Sequence, residues 1–144
     1  MSQDGTQERL EEVEELLEDL VADNGEGIPV LVEGEKDVAA LRELGLEGEV
    51  LRVKGASAVF AVCEHIATRH RKVILLVDWD RGGGHLAELL RDALAANGIR
   101  VDESYRKALA RATKKEVVEV QALARYVGNL RLAARKHPGR RTNL

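Results

Sequence analysis

Val73-Ile74-Leu75-Leu76-Val77 is an unbroken apolar run of five residues, rich in β-branched side chains. Side chains of a strand alternate between its two faces, so such a run fits a strand covered on both sides. Ile28-Pro29-Val30-Leu31-Val32 reads the same way, Glu49–Val53 as a second strand and Ile99-Arg100-Val101 as a fourth, on the edge. Helical spacing fills the intervals. Val38, Leu41 and Leu44 form one apolar stripe, ended by Gly45. Val59, Phe60, Cys63, Ile66 and Ala67 form another, with Ser57 placed to cap it. Leu86, Leu89, Leu90 and Leu94 form a third, closed by Asn97-Gly98. Strands alternating with helices of this length predict an α/β fold, a parallel four-stranded sheet flanked by helices on both faces.

Both ends extend this unit. Thr6 can cap a first helix whose apolar residues are Leu10, Val13, Leu16, Leu17, Leu20 and Val21. Its other face is acidic: residues 1–27 hold ten Asp and Glu against a single Arg9. Such a helix docks on its own domain or on a second copy, and the second option would make a homodimer. Asn24-Gly25-Glu26-Gly27 breaks it. Residues 103–136 read as helical, with Val117, Val118, Val120, Leu123 and Val127 as core positions. Pro138-Gly139 ends that segment, and a mobile tail is expected from about residue 137. Residues 131–144 carry Arg131, Arg135, Lys136, Arg140 and Arg141 and no acid, a distribution that suits a phosphate backbone or a solvated end. The expected divisions are 1–27, 28–103 and 104–144, an amount of chain suited to one domain rather than two.

Several classes are excluded by what is missing. No apolar run approaches the roughly 18–20 residues that cross a bilayer, and the acidic start is unlike a secretory signal. The cytoplasm is the expected compartment. Cys63 is the single cysteine, so neither an internal disulfide nor a cysteine-rich zinc site can form.

Ligands of open parallel sheets bind where the strands end at their carboxyl side. Glu33 follows Val30-Leu31-Val32 directly, Asp78 follows Val77, and Asp80 comes two residues later. In extended backbone, residues two apart face the same side, so Asp78 and Asp80 can aim at one point while Trp79 packs elsewhere. Converging carboxylates repel unless a hard cation neutralises them. Mg²⁺, or Mn²⁺ in its stead, takes a few carboxylate oxygens and retains waters that a phosphate can replace. Glu33 can ligate the ion or act as general acid or base. The structural alternative is that acids at strand ends cap helices or favour loops. Lys36, Lys54 and Arg81 lie beside these acids and can offset a phosphate's charge. Asp37 can approach the site or flank the following helix, and Gly82-Gly83-Gly84 suits a sharp strand-to-helix turn.

The wording Val32-Glu33-Gly34-Glu35-Lys36-Asp37, followed about 45 residues later by Val77-Asp78-Trp79-Asp80-Arg81-Gly82-Gly83, resembles the two signature motifs of the Toprim domain. Topoisomerases, bacterial-type primases, recombination-associated proteins and the bacterial maturase of 5S ribosomal RNA share that domain. Length and motif wording look most like the small stand-alone archaeal Toprim proteins. The resemblance implies a Rossmann-like fold, Glu33 as general acid or base, and Asp78 with Asp80 as a Mg²⁺-binding pair. Topoisomerases of the superfamily carry a third acid shortly after the pair, where this chain has Gly82-Gly83-Gly84-His85. No tyrosine-bearing cleavage domain accompanies the motifs, which argues against a complete topoisomerase. Nothing looks like a primase accessory domain either. The expected function is Mg²⁺-dependent, nuclease-like chemistry on RNA or DNA in RNA processing or DNA repair. The alternative is a non-catalytic module that binds metal and nucleic acid beside a partner enzyme.

Overall fold

The computed structural model describes residues 2–136, with side chains from residue 5 onward. The expected mobile tail, Arg140 and Arg141 included, lies outside the described residues. The elements run α1 (Ser2–Gly25), β1 (Val30–Val32), α2 (Glu35–Glu43), β2 (Val50–Arg52), α3 (Val59–Ala67), β3 (Lys72–Leu75), α4 (Arg81–Ala96), β4 (Arg100–Asp102), α5 (Ser104–Ala112) and α6 (Leu123–Arg135). Single 3-10 turns cover Ala56–Ala58 and Val120–Ala122.

All strand pairs are parallel, in the order β2-β1-β3-β4. The expected parallel sheet is therefore the observed one, with β4 on an edge. Val30, Val32, Ile74 and Leu76 enter a core shared with α1, α2, α5 and α6. Leu31, Val73, Leu75 and Val77 enter the opposite core, under α3 and α4. The continuous apolar runs are explained by this alternation, since each face has its own helical cover. The chain leaves β1 toward α2 on one face and leaves β3 toward α4 on the other. A crevice opens between those departures, at the carboxyl ends of the two central strands.

The apolar face of α1 docks on its own chain. Leu10, Val13, Leu17 and Leu20 are buried in the core that contains Tyr105, Leu109, Leu123 and Val127. Polar ties fix the far end of α1. Asn24 is 1% exposed; its Nδ2 donates to Ile28 O at 3.0 Å and Glu49 O at 2.9 Å, and its Oδ1 accepts from Gly48 N at 2.8 Å. Tyr105 OH donates to Asp23 at 2.5 Å. Glu14 accepts from Arg131 at 2.8 Å, so part of the basic C-terminal stretch is paired with the acidic helix.

Several local expectations are corrected. Helix α1 begins before Thr6, which sits inside it. The cap position of α3 is Ala58, with no side-chain cap, and Ser57 belongs to the preceding 3-10 turn. Phe60 is 68% exposed and Leu89 49% exposed. In α4 the buried stripe runs Leu86, Leu90, Leu94 at intervals of four, and Leu89 rotates off it. Residues 103–136 are two helices parted by a loop, with Val118 only half-buried. The three glycines form the opening turn of α4 rather than a turn before it.

Candidate metal centre

The backbone of Asp78-Trp79-Asp80 connects the end of β3 to α4, and each residue is fixed separately. Asp80 caps α4, its Oδ1 accepting from Gly83 N at 2.7 Å, a stabilising arrangement for an exposed helix start. Arg106 of α5 holds the other end. Its Nε donates to Val77 O at 3.1 Å and its NH2 group to Asp78 O at 2.9 Å. Gly83 packs so close that a methyl group there would lie 1.9 Å from Asp78 O. The glycine is required for close approach, not for an unusual backbone angle.

Trp79 packs against the core that α1, α2, α5 and α6 share, and its role is structural. Its backbone N–H donates to Val118 O at 2.9 Å and its Nε1 to Val117 O at 2.5 Å. Val120 N–H in turn donates to Asp78 Oδ1 at 2.8 Å. Asp78 and Trp79 thus hold residues 117–120 against the end of β3 through three hydrogen bonds. Lys114 and Lys115, both in left-handed backbone at φ 52 and 60, turn the chain out of α5 toward this position.

That docking brings Glu119 to the pair. Asp78, Asp80 and Glu119 each offer a carboxylate oxygen, and these atoms lie within 4.8 Å of one another. Each aspartate spends one oxygen on a backbone N–H and has a second to offer. The donor set is all hard oxygen, the chemistry that Mg²⁺ and Mn²⁺ take up, so these residues fit a divalent ion. Burial pushes the Asp78 carboxyl up to about 6; the Val120 N–H pulls it down, while Asp37, Asp80 and Glu119 raise it further. A raised carboxylate among like charges marks a place where a cation is favoured.

Asp37 is buried and ties down the start of α2, accepting from Gly34 N at 3.0 Å. Burial raises its carboxyl, opposed by backbone N–H groups of Gly34, Glu33 and Gln121. It is a buried neighbour of the cluster. Glu33, half-buried, does not join the three-carboxylate group but lines the same cleft, a cavity of about 570 Å³ that also borders Asp78 and Glu119. Lys36 and Lys54 line it too, and both are exposed. Lys54 is held at φ 27, its N–H donating to Glu33 O at 3.2 Å. Arg81 is exposed at the start of α4, outside that lining, as is His85. Sequence reasoning did not single out Glu119, Arg106 or Arg52, whose guanidinium lies 2.8 Å from Glu35 in the cleft wall. No motif marks Glu119; only the docked loop gives it a role.

A family model described as the Toprim domain matches residues 29–112. Glu33, Asp78, Asp80 and Arg106 fall inside that match and Glu119 outside it. A UPF0292 protein of Methanosarcina barkeri is 37% identical over 124 residues, spanning 86% of each chain. A UPF0292 protein of Methanocaldococcus jannaschii is 32% identical over 120 residues, spanning 83% of this chain and 93% of the other. Among solved structures, a protein from Aquifex aeolicus superposes with a TM-score of 0.64 at 27% identity, covering 74% of this chain and 94% of that one.

Proposed function

The chain belongs to the Toprim domain family, and from that membership we propose that Asp78, Asp80 and Glu119 hold Mg²⁺, with Mn²⁺ as its substitute, for nuclease-like chemistry on nucleic-acid phosphodiesters. Toprim membership implies a metal-binding, nucleic-acid-related role. The observation that carries the finer reading is the cluster of three carboxylates at the crevice between β1 and β3. When bound, the ion supplies a Lewis acid and a template for a phosphodiester oxygen.

The chain's own residues supply the rest. Glu33 borders the same cleft without belonging to the carboxylate cluster, which suits it to take or return a proton as general acid or base. Lys36 and Lys54 set positive charge against a phosphate from the cleft wall. Arg81, farther out, is suited to flanking backbone. Arg106 and Trp79 are positioning residues, fixing the aspartates and the loop that carries Glu119. A cytoplasmic protein of RNA processing or DNA repair is the setting this chemistry serves. A homodimer through α1 would have to use its acidic face, because the apolar face is filled by the same chain.

Calorimetric titration with Mn²⁺ and incubation of labelled structured RNA and DNA with Mg²⁺ test the proposal. Asp78→Asn and Glu119→Gln should each lower Mn²⁺ affinity at least about tenfold, and Asp78→Asn should abolish cleavage. Cleavage that survives Asp78→Asn would refute the site. Metal-dependent binding without turnover would replace the enzyme reading by the binding module.

A further inference from the structure

Two cavities of similar size meet at Glu119. The first, about 570 Å³, is the cleft of the metal site. The second, about 610 Å³, runs between α2 and the start of α6. Lys36, Glu119 and Gln121 line both, so the two form one trench with the carboxylate cluster on its course. The floor of the far half is made of methyl groups, among them Ala40, which is only 6% exposed. Cations stand along the trench among the acids that also line it, Glu33, Glu35, Asp37 and the metal-site carboxylates in the cleft: Lys54 at one end, Lys36 at the junction and Arg125 at the other end. None of these three forms an ion pair among the described residues. Glu43 is the one acid of the far half that the metal cleft does not share. The far wall, residues 121–125, lies beyond residues 29–112 of the family match, so the trench exists only because the C-terminal helices pack on the Toprim core.

We propose that this trench carries one single strand of nucleic acid across the metal site, with phosphates held at Lys54 and Lys36 on one side and at Arg125 on the other. The proposal rests on the metal-site reading above and adds the path of the polymer. A trench open along its length admits a chain that continues on both sides of the reacting phosphate. Cations unpaired among the described residues, at both ends and at the junction, suit a backbone with one charge per residue. The far half is walled by α2 on one side and the start of α6 on the other, a path for one strand laid lengthwise. No aromatic side chain lines the far half, so bases have nothing to stack on. Binding should therefore follow the backbone, fall steeply with salt and depend little on sequence.

The test compares a labelled dinucleotide with a labelled decamer on the full chain in Mn²⁺, read by fluorescence anisotropy. The decamer should bind about tenfold or more tighter than the dinucleotide. Arg125→Ala should weaken the decamer several-fold and reduce its salt slope by about one, leaving dinucleotide and Mn²⁺ affinities unchanged. Ala39→Glu, which adds a carboxylate to the far half without touching the metal cleft, should do the same. A decamer indifferent to both variants, or no tighter than the dinucleotide, would overturn the track. So would a duplex that outcompetes the strand. Mn²⁺ bound with neither oligonucleotide bound would remove the nucleic-acid assignment, while failure to bind Mn²⁺ would bring down the metal reading by its own measurement.

Discussion

Gly82, Gly83 and Gly84 offer a controlled comparison, because three identical neighbours in one helical turn meet different surroundings. A methyl at Gly83 would lie 1.9 Å from Asp78 O and 2.5 Å from Asp78 C, both backbone atoms. One at Gly84 meets nothing within 4 Å. Relieving the Gly83 contact requires a shift of about 1 Å between α4 and the Asp78 peptide, since rigid packing resolves overlap by displacement. Overpacking of this kind costs about 1–3 kcal/mol. The same shift stretches the 2.7 Å Gly83 N–H bond to Asp80, a cap worth about 1 kcal/mol. Against these stands the helix preference of Ala over Gly, about 1 kcal/mol. Gly83→Ala should therefore destabilise by roughly 1–3 kcal/mol, while Gly84→Ala gains about 0.5 kcal/mol. Urea unfolding followed by far-UV circular dichroism, with unchanged m-values, measures the difference. Gly83→Ala should also lose Mn²⁺ affinity, because Asp78 moves with its peptide. Equal stabilities for the two variants would refute the close-approach argument.

Three further outcomes follow from separate features. Asp78 must lose its proton to bind metal, so with its carboxyl at about 6 Mn²⁺ affinity should fall as pH drops through that value, by up to about tenfold per unit. In the metal-free protein the folded state holds that proton more tightly than the unfolded chain, so the group's stabilising contribution is complete near pH 3.8 and is lost as pH rises through about 6; denaturation at fixed temperature should show that slope, and Mn²⁺ should flatten it at neutral pH. Trp79→Phe keeps a ring but removes the Nε1 donor to Val117 O, with an expected loss of about 1 kcal/mol in denaturant unfolding and weaker Mn²⁺ binding by calorimetry. Asn24→Ala strands the Ile28 carbonyl and the Gly48 N–H at a buried junction and leaves Glu49 O with only its Val30 N–H donor, and its unfolding free energy should fall by roughly 2–3 kcal/mol.

The sheet, its parallel pairing and the placement of Glu33 and Asp78 follow from short-range pattern, because a strand covered on both faces has to be apolar throughout and its end is visible where the run stops. Glu119 does not follow. It acquires its role through Trp79, Asp78 and two left-handed lysines, contacts spanning about 40 residues that leave no local signature. The same docking overrides the helical composition of residues 113–119. Phe60 and Leu89 were expected to be buried because spacing alone counts every apolar residue near a stripe. The observed helices bury a narrower face than that, with intervals of four in α4. Ser57 and Thr6 are good caps by residue type, but α1 begins earlier and α3 begins through a 3-10 turn.

Trp79 is the only tryptophan in the chain; its neighbours in sequence are two acids of the cluster, and its indole is tied to the loop that brings the third. Tryptophan emission from this protein is consequently a single-site signal. Its intensity and wavelength report one indole environment, without averaging over distant parts of the molecule. Excited at the indole band, the unlabelled protein carries its own optical gauge of whether the 117–120 loop is seated, and cation binding or loop release can be followed in time at the place where it happens.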